Sequence, residues 1–237
     1  MISRVLRPLL VVLTSAVLAA GAAPAAHADT WAHSDRAKDV IGYRFDSAPA
    51  PCGMYVETPH PEARSQDITR LRVSHGHDML RLTAEYRDLQ GRGPHESTFY
   101  VRTPTRLWQL DVTRHETHGR TESSLFDAPD YEANPHGCGY NSSATGTGPC
   151  RGLSAEIDTR TDRVDVIVPR SCLHDPRWVR VALTTYGGSA NEIRADRWSP
   201  TGAPGRGRVG PMTPRVHPDP QKAPPSNRSR VTNSATS

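Results

Sequence analysis

The chain has 237 residues, of which 35 % are apolar and 6 % aromatic. These proportions suit one half-wet antiparallel β domain and exclude a large α/β enzyme, whose buried parallel strands read as unbroken apolar runs. The net charge of +4 comes from the two ends, because residues 29–199 carry −3; a mildly acidic body excludes the basic folded face on which nucleic-acid binding depends. Only Lys38 and Lys222 are lysines, so the abundance of arginine reads as the composition of a GC-rich genome and no single arginine is singled out by its type.

Residues 1–28 have the three parts of an export signal. Arg4 and Arg7 supply the positive start, Leu9–Ala20 the apolar stretch and Ala26-His27-Ala28 the small-residue cleavage pattern. The apolar part is short for a membrane span, so the mature chain is expected to begin at Asp29, to carry no span and to lie outside the cell. Four cysteines, Cys52, Cys138, Cys150 and Cys172, fit an oxidising compartment. Their spacing lacks the close pairs of a zinc site. Cys150 and Cys172 bracket an expected hairpin, which brings them together, and Cys52 and Cys138 pair by elimination.

Asp29–Gln66 reads as mostly irregular, with Val40–Phe45 as its one strand. Asp67–Leu89 holds a hairpin: Leu71 and Val73 alternate with arginines, then Leu80, Leu82, Ala84 and Tyr86 alternate with Arg81, Thr83, Glu85 and Arg87. Such period-two alternation marks strands with one buried face. Phe99 and Val101, then Trp108, Leu110 and Val112, form a second hairpin. From Arg114 to Gly148 the periodicity stops, apart from a short strand at Ser123–Phe126. Three further runs follow at Leu153–Ile157, Val164–Val168 and Val179–Leu183, and Arg194–Trp198 adds an edge strand. The expected fold is all-β, a single antiparallel β-sandwich of about seven strands with long irregular loops, over residues 29–199. Residues 200–237, with eight prolines between Pro200 and Pro225, read as a disordered Pro-rich basic tail.

The strings Asp67-Ile68, His75, Tyr86-Arg87-Asp88-Leu89, Val168-Pro169-Arg170-Ser171-Cys172-Leu173 and Pro176-Arg177-Trp178-Val179-Arg180-Val181 resemble a family of secreted actinobacterial β-sandwich proteins to which no activity is assigned. The resemblance covers about residues 40–185. It implies export, a sandwich and the Cys150–Cys172 pairing, and no ligand. The opening from Asp35 to Asp39, with Asp67, also resembles calcium-stabilised β-sandwich modules that accompany secreted hydrolases.

Chemistry-bearing motifs are sparse. Gly205–Gly210 spells G-x-G-x-x-G but lies in the Pro-rich tail, without the strand and helix that dinucleotide binding requires. His115-Glu116-Thr117-His118 spaces its histidines by three where a zinc-protease helix needs four. His75, His77 and Asp78 form the polar tip of a hairpin. Asp35, Asp39 and Asp67 are the calcium candidates, since a hard cation gathers oxygen ligands from loops. Trp31, Trp108, Trp178 and Trp198 would make a sugar platform only if two were exposed together, and Trp108 and Trp178 read as core. No catalytic residue, cofactor or resident metal is selected. The sequence therefore points to a monomeric, extracellular, non-catalytic protein binding a polysaccharide or another protein. A hydrolase with its site on the loops, and a protease inhibitor with a tethered loop near Cys138, are the alternatives.

Overall fold

The computed structural model describes residues 29–46, 54–90, 94–115, 119–128, 145–146, 149–189, 192–200 and 210–218. The expected export segment, Cys52 and Cys138, Glu116–His118 and residues 219–237 lie outside the described residues. No helix among those described is long and apolar enough to cross a membrane.

Two antiparallel sheets face each other. The smaller contains β1 (Asp29–Ser34), β4 (Ile68–His75), β5 (Met79–Tyr86), β10 (Ser154–Asp158) and β11 (Arg163–Pro169), in the order β1-β4-β5-β11-β10. The larger contains β2 (Ile41–Asp46), β3 (Met54–Pro59), β6 (His95–Arg102), β7 (Leu107–Arg114), β8 (Thr121–Ala128), β9 (Thr145–Gly146), β12 (Arg180–Ser189) and β13 (Glu192–Arg197), in the order β3-β2-β13-β12-β6-β7-β8-β9. The fold is the expected antiparallel sandwich. It has thirteen strands where about seven were expected; the three that match none of the expected runs, β1, β3 and the two-residue β9, all lie at sheet edges. Arg194–Trp198 was expected at an edge, yet β13 lies inside its sheet between β2 and β12.

The alternating runs have become the core. Leu71, Val73, Leu80, Leu82, Ala84, Val164, Val166 and Val168 from the small sheet meet Phe99, Val101, Trp108, Leu110, Val112, Val181 and Leu183 from the large one. Each such side chain contributes about 1.5–3 kcal/mol when fully buried. The wet face of the small sheet is paired by register: Glu85 stands opposite both Arg70 and Arg163, and the Thr83 hydroxyl donates to Asp165 at 2.6 Å. Between β11 and β12 the chain leaves one sheet for the other through a 3-10 turn, Arg170–Leu173, which ends in left-handed His174. Cys172 in that turn is disulfide-bonded to Cys150 just before β10. The expected pairing thus closes the β10–β11 hairpin where the chain changes sheets.

The tail boundary needs correction. Gly210–Pro218 packs against the sandwich: Val179 and Val216 form a bridge, Thr213 donates its amide to the Val181 carbonyl at 2.8 Å, and Val216 joins the core. Met212 covers Tyr100, Leu107, Ala128 and Ala182, which form a small apolar cluster outside the main core. The prolines rule out regular structure here but not burial; Thr213 and Val216 are the two side chains that turn inward, and Pro214 separates them only by holding the chain extended.

Candidate functional site

Of the three aspartates singled out in the sequence, Asp39 and Asp67 come together, and Asp35 stays outside their cluster. Asp35 and Asp39 lie in the loop between β1 and β2, and Asp67 stands just before β4. Carboxylate oxygens of Asp39, Asp67 and Asp196 all lie within 4.8 Å of one another. Asp196, on β13, was missed. Its signal was present: it shares a strand face with Trp198, and an aspartate on a core-directed face is unusual enough to question.

Most of these oxygens are engaged. Asp67 accepts the Lys38 amide through both oxygens, at 2.9 and 3.1 Å, and pairs with Arg87 at 3.0 Å. Asp196 accepts the amides of Ile68 and Arg197, each at 2.7 Å. Asp35 accepts those of Arg36 and Ser199. Asp39 Oδ1 is buried with no hydrogen-bond partner. Burial raises all four acids, Asp35 to about 7 and Asp39 to about 6; repulsion from neighbouring carboxylates adds to it for Asp35, Asp39 and Asp196, whereas the Lys38 amide and Arg87 work against it at Asp67. Asp39, Asp67 and Asp196 are the residues that could hold a hard cation. Asp67 and Asp196 also tie the β1–β2 loop, the start of β4 and the end of β13 into one junction between the sheets.

The other sequence candidates do not converge. His75 is buried and hydrogen-bonds the Val216 carbonyl through Nδ1 at 3.0 Å, whereas His77 is exposed beside Asp78. β4 ends at His75, whose side chain turns into the core while His77 lies outside on the tip, and the two belong to no metal-ligand group among the described residues. His115 pairs with Glu122 at 3.5 Å, and the rest of its motif lies outside the described residues. The same holds for Gly205–Val209. Trp108 and Trp198 are buried, and Trp31 packs edge-on against Trp198. Trp178, expected in the core, is only partly buried and lies under the Arg215 guanidinium at 4.6 Å, because the docked C-terminal segment supplies its cover.

A groove of about 440 Å³ opens at the end of the large sheet, lined by Pro94, His95, Glu96, Thr113, Arg114, His115, Tyr186, Gly187 and Ile193. It lies within the size range of small-molecule sites. Strand pairing builds it: His95 stands opposite Arg114, and Glu96 opposite both Thr113 and Tyr186. Behind it, His95 Nε2 meets the Ser97 hydroxyl at 2.9 Å, and that hydroxyl meets Tyr86 at 2.7 Å. Ser97 is completely buried. Burial holds the His95 imidazole neutral, with its pKa pushed down to about 3. Ser97, the hydroxyl that His95 touches, has no exposed surface through which a substrate would reach it. Sequence reasoning missed this groove because it is made by four strands, of which β12 and β13 are distant along the chain from β6 and β7.

No family model, curated protein or solved structure matches this chain.

Proposed function

We propose that this chain is a secreted, non-catalytic β-sandwich protein that binds a ligand of the cell envelope or the medium, in keeping with its resemblance to secreted actinobacterial sandwich proteins. The observation that carries the reading is the groove at the end of the large sheet. It offers polar and apolar side chains to a ligand, while Ser97, the hydroxyl behind its His95 wall, is completely buried. The export pattern of residues 1–28 and the Cys150–Cys172 disulfide support an oxidising, extracellular setting.

The test has two parts. The exported protein, purified from the medium, should have Asp29 at its N-terminus. Incubated with ester, peptide and glycan substrates it should turn over none, and it should be retained on at least one immobilised envelope polysaccharide. Turnover that disappears in Ser97→Ala would replace this reading with that of a secreted hydrolase.

A further inference from the structure

Arg114 ends β7 with only 6 % of its surface exposed. It has no ion-pair partner among the described residues. One guanidinium nitrogen donates to the Gln90 carbonyl, and Nε has no partner. A buried cation without a counter-charge is costly, and proteins keep such groups paired or use them. Burial alone accounts for its lowered pKa, with no carboxylate offsetting it. The side chain lines the groove.

A second unpartnered group lies beside it. His95 is 2 % exposed, also lines the groove, and leaves Nδ1 without a partner. The hydrogen-bond chain behind it decides which nitrogen carries the proton. Tyr86 is buried and stays protonated, and the Ser97 hydroxyl is the only partner shown for its phenol. If Tyr86 donates to Ser97, Ser97 donates to His95 Nε2, and the imidazole proton sits on Nδ1. The opposite direction would orphan a buried phenol proton as well as Nδ1, so the first arrangement satisfies more groups. His95 Nδ1 then holds its proton inside the groove wall, sealed from solvent, which leaves Arg114 as the group that meets an anion.

The rest of the groove restricts the anion. Glu96 places a carboxylate on its wall, which disfavours a dianion such as phosphate and accepts hydrogen bonds from hydroxyls. Tyr186 and Ile193, the latter 47 % exposed, offer apolar surface at the mouth. We propose that this groove binds the carboxylate of an acidic sugar, with Arg114 as its counter-ion and Glu96 and Tyr186 against the hydroxylated ring. This inference rests on the binding reading above and names the ligand class for its groove.

The probes are glucuronate, glucose and inorganic phosphate, titrated calorimetrically into the purified protein. Glucuronate should bind at least about tenfold more tightly than either of the others, the factor expected from a charge-assisted pair. Arg114→Met should abolish glucuronate binding while leaving the melting temperature unchanged or higher, because it removes an unpaired buried charge at similar volume. Ile193→Asp, a surface change that does not test folding of the core, should weaken glucuronate severalfold by placing a second negative charge at the mouth. The proposal is overturned if Arg114→Met lowers the melting temperature and leaves glucuronate affinity unchanged, or if phosphate binds as tightly as glucuronate. Polysaccharide retention that survives Arg114→Met would remove the groove assignment and leave the extracellular binding function intact. Hydrolysis of a glucuronide that depends on Arg114 would support the groove and remove the non-catalytic reading.

Discussion

Asp196 on β13 accepts the backbone amide of Ile68 at 2.7 Å, so a side chain of the large sheet completes the first residue of a strand in the small one. The bond is buried, and Asp196 also satisfies the Arg197 amide. Asp196→Ala strands both donors and should cost about 2–4 kcal/mol, the range for two buried groups left unsatisfied. Asp196→Asn keeps an acceptor and removes a charge from a crowded acidic junction, so its loss should be smaller. Urea unfolding of both variants checks the order; equal losses would show that charge, not hydrogen bonding, is what Asp196 contributes.

The acidic junction makes stability depend on pH. Burial pushes Asp35 up to about 7 and Asp39 up to about 6, well above the ordinary aspartate range. The folded state therefore binds these protons more tightly than the unfolded chain, and acidification through this range stabilises it. Asp67 and Asp196, also raised, act in the same sense, as does His60, which is raised by its bond to Glu62. His75 and His95 are lowered by burial and act in the opposite sense below the ordinary histidine pKa. The melting temperature should rise as the pH falls from 8 through about 6 and continue toward about 5, because the unfolded chain takes up these protons only near about pH 4; the two buried histidines make the rise shallower below about 6.5. In Asp35→Asn the rise should be smaller. A wild-type melting temperature that falls across the same interval contradicts the cause given for these shifts. Repeating the pH 8 measurement with calcium and with a chelator shows whether a cation takes the place of those protons.

Removing residues 200–237 should destabilise the domain. The truncation deletes Val216 from the main core, Met212 from the outer apolar cluster, and the Thr213 bonds to Val181. Val216 alone represents about 1.5–3 kcal/mol, and a domain of this size loses about 2–4 °C per kcal/mol. Truncation after Pro218 should leave the melting temperature unchanged. If the two truncations melt together, the C-terminal segment does not contribute to the fold.

A non-reducing peptide map should recover Cys150 linked to Cys172. Replacing both with serine should cost on the order of 3 kcal/mol in the chain-entropy model, given a loop of 22 residues. The loss should be read in reducing agent as well, where wild type and variant should converge.

The amino-acid sequence by itself determined the class of fold, most of the core and the hairpins, because alternation is a local property. Leu80, Leu82 and Ala84 face one way whatever they pack against. It also placed Asp35, Asp39 and Asp67 as oxygen donors in loops, and Cys150 near Cys172, since the ends of a hairpin are close by construction. What only the tertiary structure decided is which distant segments meet. Asp196 joins the aspartates because β13 lies beside β2, a neighbour far away in sequence. Gly210–Pro218 docks because β12 and the Tyr100–Ala182 patch leave apolar surface to cover, which no count of prolines reveals. The groove of Arg114, His95 and Tyr186 depends on the register of β6 with β7 and β12. Local pattern sets the direction of a side chain; pairing between strands sets its company, and in this protein the chemistry lies in the company.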